Sequence, residues 1–519
     1  MAQSTENLTP SSHTGNSSDR DLEAAKPETK SQSQSQHQDN TNTNTPDTKP
    51  PPKHDPDLVT WDGPNDPSNP KNWPKSHKWS YTCTVSLFVF ISPVSSAMIA
   101  PAMAKLGAEL GMQTEFEVYL SLAIFILAYA VGPVFFGPAS ELYGRVYLLQ
   151  ASNLWYLAWN LGCGFTHSKA QFFAFRFLAG IGGSAPLALG GGAISDVWNK
   201  DERGKAIGLY TLGPMLGPVI GPIAGGFIAE YTTWRWVFYS TSIAAIAVQL
   251  LGLLFLRESH PGTLLRHKRD LLILQTGNTD LHTPQPSESL TSKLLHALIR
   301  PVRMFTTQPI VACMSIYMAY LFGTTFLMFA TFPDIWTGWY AETRDIGGLN
   351  YLAIALGSLI GLILSISLAD RFYKYLTSTN NNTSEPEFRI PGMAAGSALV
   401  TAGLFWYGWS IEARLHWVMP DLGALIFTAG TMLCLQGMQG YIVDSYETYA
   451  ASALAAVAIL RSLAGFAFPL FAPYMYRDLG YGWGTSVLGF VSVGLGWAGP
   501  AVFWFFGKRL RAKSRFAAG

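Results

Sequence analysis

Two arginines stand inside long apolar runs of this sequence: Arg176, in Arg-Phe-Leu-Ala-Gly180-Ile-Gly-Gly183, and Arg461, in Leu460-Arg-Ser462. A guanidinium does not shed its proton, so in an apolar setting it needs carbonyls, carboxylates or water, and such a residue is functional by default. For Arg176 the plainer alternative is outward snorkelling, since it sits about two turns from one end of its run. Acids that could answer these charges lie elsewhere: Asp196 and Asp444 fall at the ends of runs, and none is evident in the middle. The four cysteines, Cys83, Cys163, Cys313 and Cys434, lie within apolar stretches, where packing is expected and neither a disulfide nor a metal site is implied. No metal cluster, nucleophile constellation or phosphate loop is apparent, so neither an enzyme nor a cofactor is expected.

The elements that must hold these residues follow from composition. Of 519 residues 13% are charged and 49% hydrophobic, a balance that points to lipid, and 16 Trp, 22 Tyr and 31 Phe suit aromatic belts at the membrane surfaces. A bilayer span needs roughly 20 mostly apolar residues. Ten uncharged windows meet this: 79–104, 118–138, 146–166, 206–229, 236–256, 304–333, 346–369, 390–411, 422–443 and 479–507. Two more, about 170–195 and 449–473, each carry one charge, Arg176 and Arg461, which makes twelve.

An even count puts both termini on one side. With the N-terminus inside, the cytoplasmic segments from Lys71 onward hold 22 Lys and Arg, whereas the six outer loops hold one each. That asymmetry predicts cytoplasmic termini. Residues 1–57 are rich in Ser, Thr, Asn, Gln and Pro and read as a disordered cytoplasmic tail. No apolar stretch precedes the first span, which is expected to direct its own insertion. The longest loop, 257–303, is a cytoplasmic linker between halves at 58–256 and 304–507, and 508–519 form a basic cytoplasmic tail. The expected fold is an all-α membrane protein with twelve transmembrane helices in two six-helix halves.

Two motifs sharpen this plan. Between helices 2 and 3 stands Gly137-Pro-Ala-Ser-Glu141-Leu-Tyr-Gly144-Arg145, where glycines let the chain reverse below the membrane and the acid and Arg145 can pair. The stretch resembles the cytoplasmic signature of the major facilitator superfamily, with Glu141 where the family commonly has Asp. A weaker copy, Asp370-Arg371, follows helix 8. In helix 5, Gly213, Gly217, Gly221 and Gly225 recur every fourth residue, interlocked with Pro218 and Pro222 and followed by Gly226. They form a stripe without side chains that another helix can approach closely. The pattern resembles the antiporter signature of that superfamily, and the expected partner is helix 8 through Gly357 and Gly361. The stretches Trp61-Asp-Gly-Pro64 to Trp73 and Tyr441-Ile-Val-Asp444-Ser-Tyr446 resemble the fungal branch of the twelve-spanner drug:proton antiporters.

The resemblance implies a secondary transporter that exports drugs, toxins, secondary metabolites or organic acids across the plasma membrane in exchange for protons. Arg176 matches the helix 4 arginine associated with proton coupling, and Arg461 is the second candidate for that work. Glu141, Arg145 and Asp196 would form an inner latch, with Asp444 beside Arg371 as its counterpart. Ser92, Tyr317, Tyr320, Gln436 and Gln439 would face the substrate cavity. Arginine without mid-depth acid favours neutral or anionic amphipathic substrates over polyamines. The expected partners are a small-molecule substrate, protons and the lipid bilayer, with no nucleic acid, and the chain is expected to act as a monomer. A proton-independent facilitator or importer and a non-transporting membrane sensor are the competing readings.

Overall fold

A computed structural model describes residues 55, 57–199, 201–284, 290–446, 449–512 and 514. The expected tail at 1–57 lies almost wholly outside these residues. All of them except Asp55 belong to one unit, Pro56–Gly519.

The first half holds α1 (Lys75–Ala97), α2 (Glu115–Tyr143), α3 (Arg145–Gly164), α4 (Lys169–Val197), α5 (Arg203–Tyr231) and α6 (Arg235–Phe255). The second holds α7 (Pro309–Asp334), α8 (Tyr351–Leu364, the middle of the longer helical stretch Arg344–Thr379), α9 (Ile390–Glu412) and α10 (Val418–Ser445), then the continuous run Ala450–Ala512. That run breaks at Gly480, whose φ of 72° and ψ of 172° leave the helical region, giving α11 (450–479) and α12 (481–512). Ten helical stretches are long and apolar enough to cross a membrane by length and composition, the broken run counted once. The twelfth span is α3. It is more polar because Asn153 and Asn160 are buried against α6, where Asn153 bonds Gln249 at 2.7 Å and Asn160 bonds Thr241 and Ser242 at 2.9 Å. Lipid offers helices little hydrophobic reason to associate, so buried amides of this kind supply the adhesion. The fold is the expected one of twelve transmembrane helices in two six-helix halves.

Local chemistry sets the ends. Thr114 caps α2 by accepting from the Glu117 N–H at 3.3 Å, and Ser168 caps α4 through the Gln171 N–H at 3.4 Å. The window 304–333 begins too early for α7. Its first residue is Pro309, which cannot continue the preceding helix, so Leu290–Thr307 is a separate helix lying in the linker. The linker is thus largely helical among the described residues, with Pro261–Thr276 as its first helix, closed by Gly277 in the left-handed region at φ 72°. That first helix is docked: Arg266 donates to the Glu141 and Leu142 carbonyls at the end of α2 at 2.7 and 2.8 Å. The α2–α3 turn and both ends of the helical array share one face, the near face, and the opposite one is the far face.

Candidate functional site

Arg176 on α4 has no exposed surface. Its Nη2 donates to the Ser95 carbonyl at 2.7 Å and the Ser96 carbonyl at 3.1 Å. Helix α1 stops at Ala97, so these are terminal carbonyls without intrahelical donors, and a cation there also opposes the helix dipole favourably. Phe125 and Phe238 flank the guanidinium with ring centroids at 4.4 and 5.5 Å. The residue therefore ties α4 to the end of α1.

Arg461 on α11, partly buried, lacks the carbonyl partners that Arg176 has. Its Nε is buried without a hydrogen-bond partner. The Phe322 ring of α7 lies 5.2 Å from its guanidinium carbon, and Tyr210 of α5 is close enough to interact with the charge across the seam between the halves. Tyr210 spends its own proton on the Leu187 carbonyl at 2.9 Å. No ion pair among the described residues includes Arg461.

At the near face Arg145 pairs with Asp196 at 3.1 Å and donates to Ser140 Oγ at 2.7 Å. Glu141 turns away from them to Lys293 of the linker at 3.1 Å. The acid that reaches this turn is Glu258, just past α6, which accepts the Arg145 and Val146 N–H groups at 3.0 and 3.2 Å and so caps α3. Gly144 sits at φ 100°, and a Cβ there would overlap that carboxylate. Gly137 meets nothing within 4 Å.

In the second half the arginine beside Asp444 is Arg389, at 2.5 Å, while Asp370 and Arg371 are both exposed. The repeat is one of position, since Arg145 opens α3 and Arg389 immediately precedes α9. Each meets the aspartate that closes the next helix, 51 and 55 residues on. That register, rather than the Asp-Arg dipeptide, is the signal in the sequence.

The glycine stripe of α5 lies on α1, not on helix 8. A Cβ at Gly217 would stand 2.6 Å from Pro93 Cβ and one at Gly221 2.6 Å from the Val94 carbonyl, while Gly213 faces Phe90 and Gly225 faces Met98. Spacing defines a face but does not name its neighbour. Gly357 and Gly361 of α8 pack instead against Leu425, Thr428 and Ala429 of α10. Gly226 alone turns to the second half, where a Cβ would stand 2.5 Å from the Arg344 carbonyl, and the buried Pro222 has its carbonyl 3.3 Å from a Cβ at Gly348. Pro218 is half-buried.

The halves pack along α2 and α11, and their polar ties lie at the far face. Tyr119 of α2 donates to Asp334 at the end of α7, Arg344 pairs with Glu230 at 3.3 Å, Tyr231 donates to Asp345 at 3.0 Å, and Arg477 lies 3.8 Å from Glu115. The window 304–333 ends one residue short of Asp334. Among the described residues the near-face ion pairs stay within one half or tie the linker to it. Of the expected cavity residues, Ser92 is bonded to Tyr129 at 2.7 Å, Tyr317 to Ser397 at 2.7 Å, and Tyr320 to the Leu488 carbonyl at 2.6 Å, all within a half. Gln436 and Gln439 on α10 are only partly buried.

Comparison with known proteins agrees with this architecture. Residues 85–469 match the Major Facilitator Superfamily. The efflux pump vrtL of Penicillium aethiopicum is 69% identical over 90% of this chain and 92% of its own. The efflux pump radE of Floropilus chiversii is 37% identical over 89% of this chain and 86% of its own. The partially occluded inward-open xylose transporter XylE from E. coli superposes with a TM-score of 0.62 at 18% identity, covering 83% of this chain and 98% of that one, a likeness of fold. With two six-helix halves and this family match over most of its length, the chain belongs to the Major Facilitator Superfamily.

Proposed function

We propose that this protein is a secondary active exporter of small organic molecules, driven by proton antiport, with the near face in the cytoplasm. The observation that carries the reading is the distribution of polar ties: those between the halves lie at the far face, while the near-face ion pairs among the described residues stay within one half or reach the linker. This is the arrangement of a transporter waiting to load from the side where 22 of its basic residues lie. The halves, at 58–256 and 304–507, would rock about the bilayer midplane, with the linker 257–303 keeping them tethered. The names efflux pump vrtL and efflux pump radE support the outward direction. In this reading the chain works as a monomer in the plasma membrane, with both termini in the cytoplasm. Arg145 with Asp196 and Arg389 with Asp444 stiffen the near end of each half, and the α1–α5 glycine contact keeps protons from leaking beside the path.

The test is growth of a drug-sensitive host across a panel of toxic compounds, with and without the gene, followed by efflux of the protected compounds with and without a protonophore. Protection that disappears with the proton gradient is expected. Protection unaffected by the protonophore overturns antiport, and protection from none of the panel overturns export.

A further inference from the structure

The two intramembrane arginines share a charge and a cost but not a state of occupancy. Each has a buried Nε without a partner, but Arg176 has two carbonyls on its Nη2, whereas no hydrogen bond or ion pair among the described residues reaches the guanidinium of Arg461, which has only rings beside it. An unpaired charge in a low-dielectric setting costs several kcal/mol or more, so such a group is kept either by water or by an anion that comes and goes. Residue 461 lies eleven positions into α11, about 16 Å from its near-face end at 1.5 Å per residue. One turn deeper, a Cβ at Gly465 would stand 3.0 Å from Phe322 and 3.1 Å from Ile126 on α2, so α11 and α2 approach closely across the seam on the far side of the arginine. The guanidinium therefore stands at the closed end of the seam, between halves, with Tyr210 supplied by the first half and Phe322 by the second. Phe326, with its ring 4.8 Å from that of Phe322, extends the apolar wall.

We infer that Arg461 is the anion seat of the transport path, taking the carboxylate or phenolate of an aromatic substrate whose rings lie along Phe322 and Phe326. The planar fork of an arginine matches a carboxylate through two parallel hydrogen bonds, and the neighbouring rings fit a flat apolar body better than an aliphatic one. Because the seat is built from both halves, filling it adds a contact across the seam, which is what a substrate needs in order to bias the rocking of the halves. Arg176, with its Nη donors committed to α1, holds the scaffold and not the cargo. The inference rests on the exporter reading above.

Everted membrane vesicles carrying the full chain, with an imposed pH gradient, separate the two. The probes share one ring system: 1-naphthoate, 1-naphthamide and a naphthyl trimethylammonium ion. Wild-type protein is expected to take up naphthoate in preference to the other two. Arg461→Gln should raise the KM for naphthoate by about tenfold or more and abolish that preference, at equal protein per vesicle. Arg461→Lys, which keeps the charge and the fold, should fall between them because it lacks the planar fork. Preference for the cation in wild-type vesicles, or naphthoate KM and selectivity unchanged in Arg461→Gln, would overturn the anion seat alone. Absence of gradient-dependent flux for all three probes in wild-type vesicles would overturn the exporter reading together with it.

Discussion

Arg389 Nε lies 2.5 Å from Asp444 Oδ2, binding the start of α9 to the end of α10. The same bond joins Arg145 to Asp196 in the first half. A charged pair placed where four helix ends converge fixes the near end of a six-helix half as one body, which a rocking motion requires. Both pairs are partly shielded, with side chains between 15% and 29% exposed, so they are stronger than surface pairs without bearing the full desolvation cost of buried ones.

The pairs should therefore respond alike to truncation. Arg145→Ala and Arg389→Ala are each expected to cost about 1–3 kcal/mol of stability and to slow turnover, with Lys rescuing part of the loss. Thermal unfolding of purified variants measures this, and a double-mutant cycle of Arg145→Ala with Asp196→Asn should show a coupling energy. Strict additivity would remove the pair as a structural tie.

The α1–α5 contact predicts a sharper split. Gly217→Leu and Gly221→Leu must displace Pro93 and Val94, and overpacking of this kind typically costs about 1–3 kcal/mol or more. Transport should vanish in both while much of the protein remains in the membrane. Gly208→Leu and Gly191→Leu, with nothing within 4 Å of a Cβ, should be tolerated far better. Equal activity across the four variants would dissolve the interface.

Much of this architecture is legible in residue type and spacing, and what escapes does so for identifiable reasons. Apolar length locates the spans, including the two that carry Arg176 and Arg461. The window 146–166 locates α3 as well by its lack of charge, although Asn153 and Asn160 there trade hydropathy for hydrogen bonds to α6. A glycine period defines a face, but only three dimensions show that the face of Gly217 rests on α1. Charge identity is equally silent about partners. Glu141 and Glu258 both stand near Arg145, and the sequence neighbour, Glu141, bonds Lys293 while the residue more than a hundred positions away caps α3. Arg176 and Arg461 look equivalent in sequence, and their difference lies in whether a helix happens to end within reach.

Gly144 joins two constraints at one atom. Its φ of 100° is unfavourable for an L side chain, and its missing Cβ leaves the room that Glu258 occupies. Gly144→Ala is expected to lose most transport and to lower the unfolding temperature, whereas Gly137→Ala, facing open space in this conformation, should fold as well as the wild type. A Gly144→Ala, Glu258→Ala double variant, which removes the overlapping side chain, should recover little, because the backbone strain persists. Full recovery would make the overlap with Glu258 the whole effect.

The last prediction concerns pH at the start of the linker. His260 caps the helix Pro261–Thr276, with Nδ1 accepting the Thr263 N–H at 3.2 Å, which requires a neutral, Nδ1-unprotonated imidazole. Burial, reinforced by the nearby Arg145 charge, pushes its pKa down to about 4 from an ordinary 6.5. A group with a depressed folded-state pKa binds protons more readily once undocked. Stability is therefore complete above about pH 6.5 and drains away as the pH falls from there toward 4. Hydrogen-exchange protection in the first turn of this helix should be unchanged between pH 8 and 7 and should decline between pH 6.5 and 5. His260→Asn keeps a capping oxygen without a titrating ring, and its protection should be flat across the same range. If the wild type is equally flat, or if the His260→Asn variant declines in parallel with it, the imidazole is not the group that senses the change.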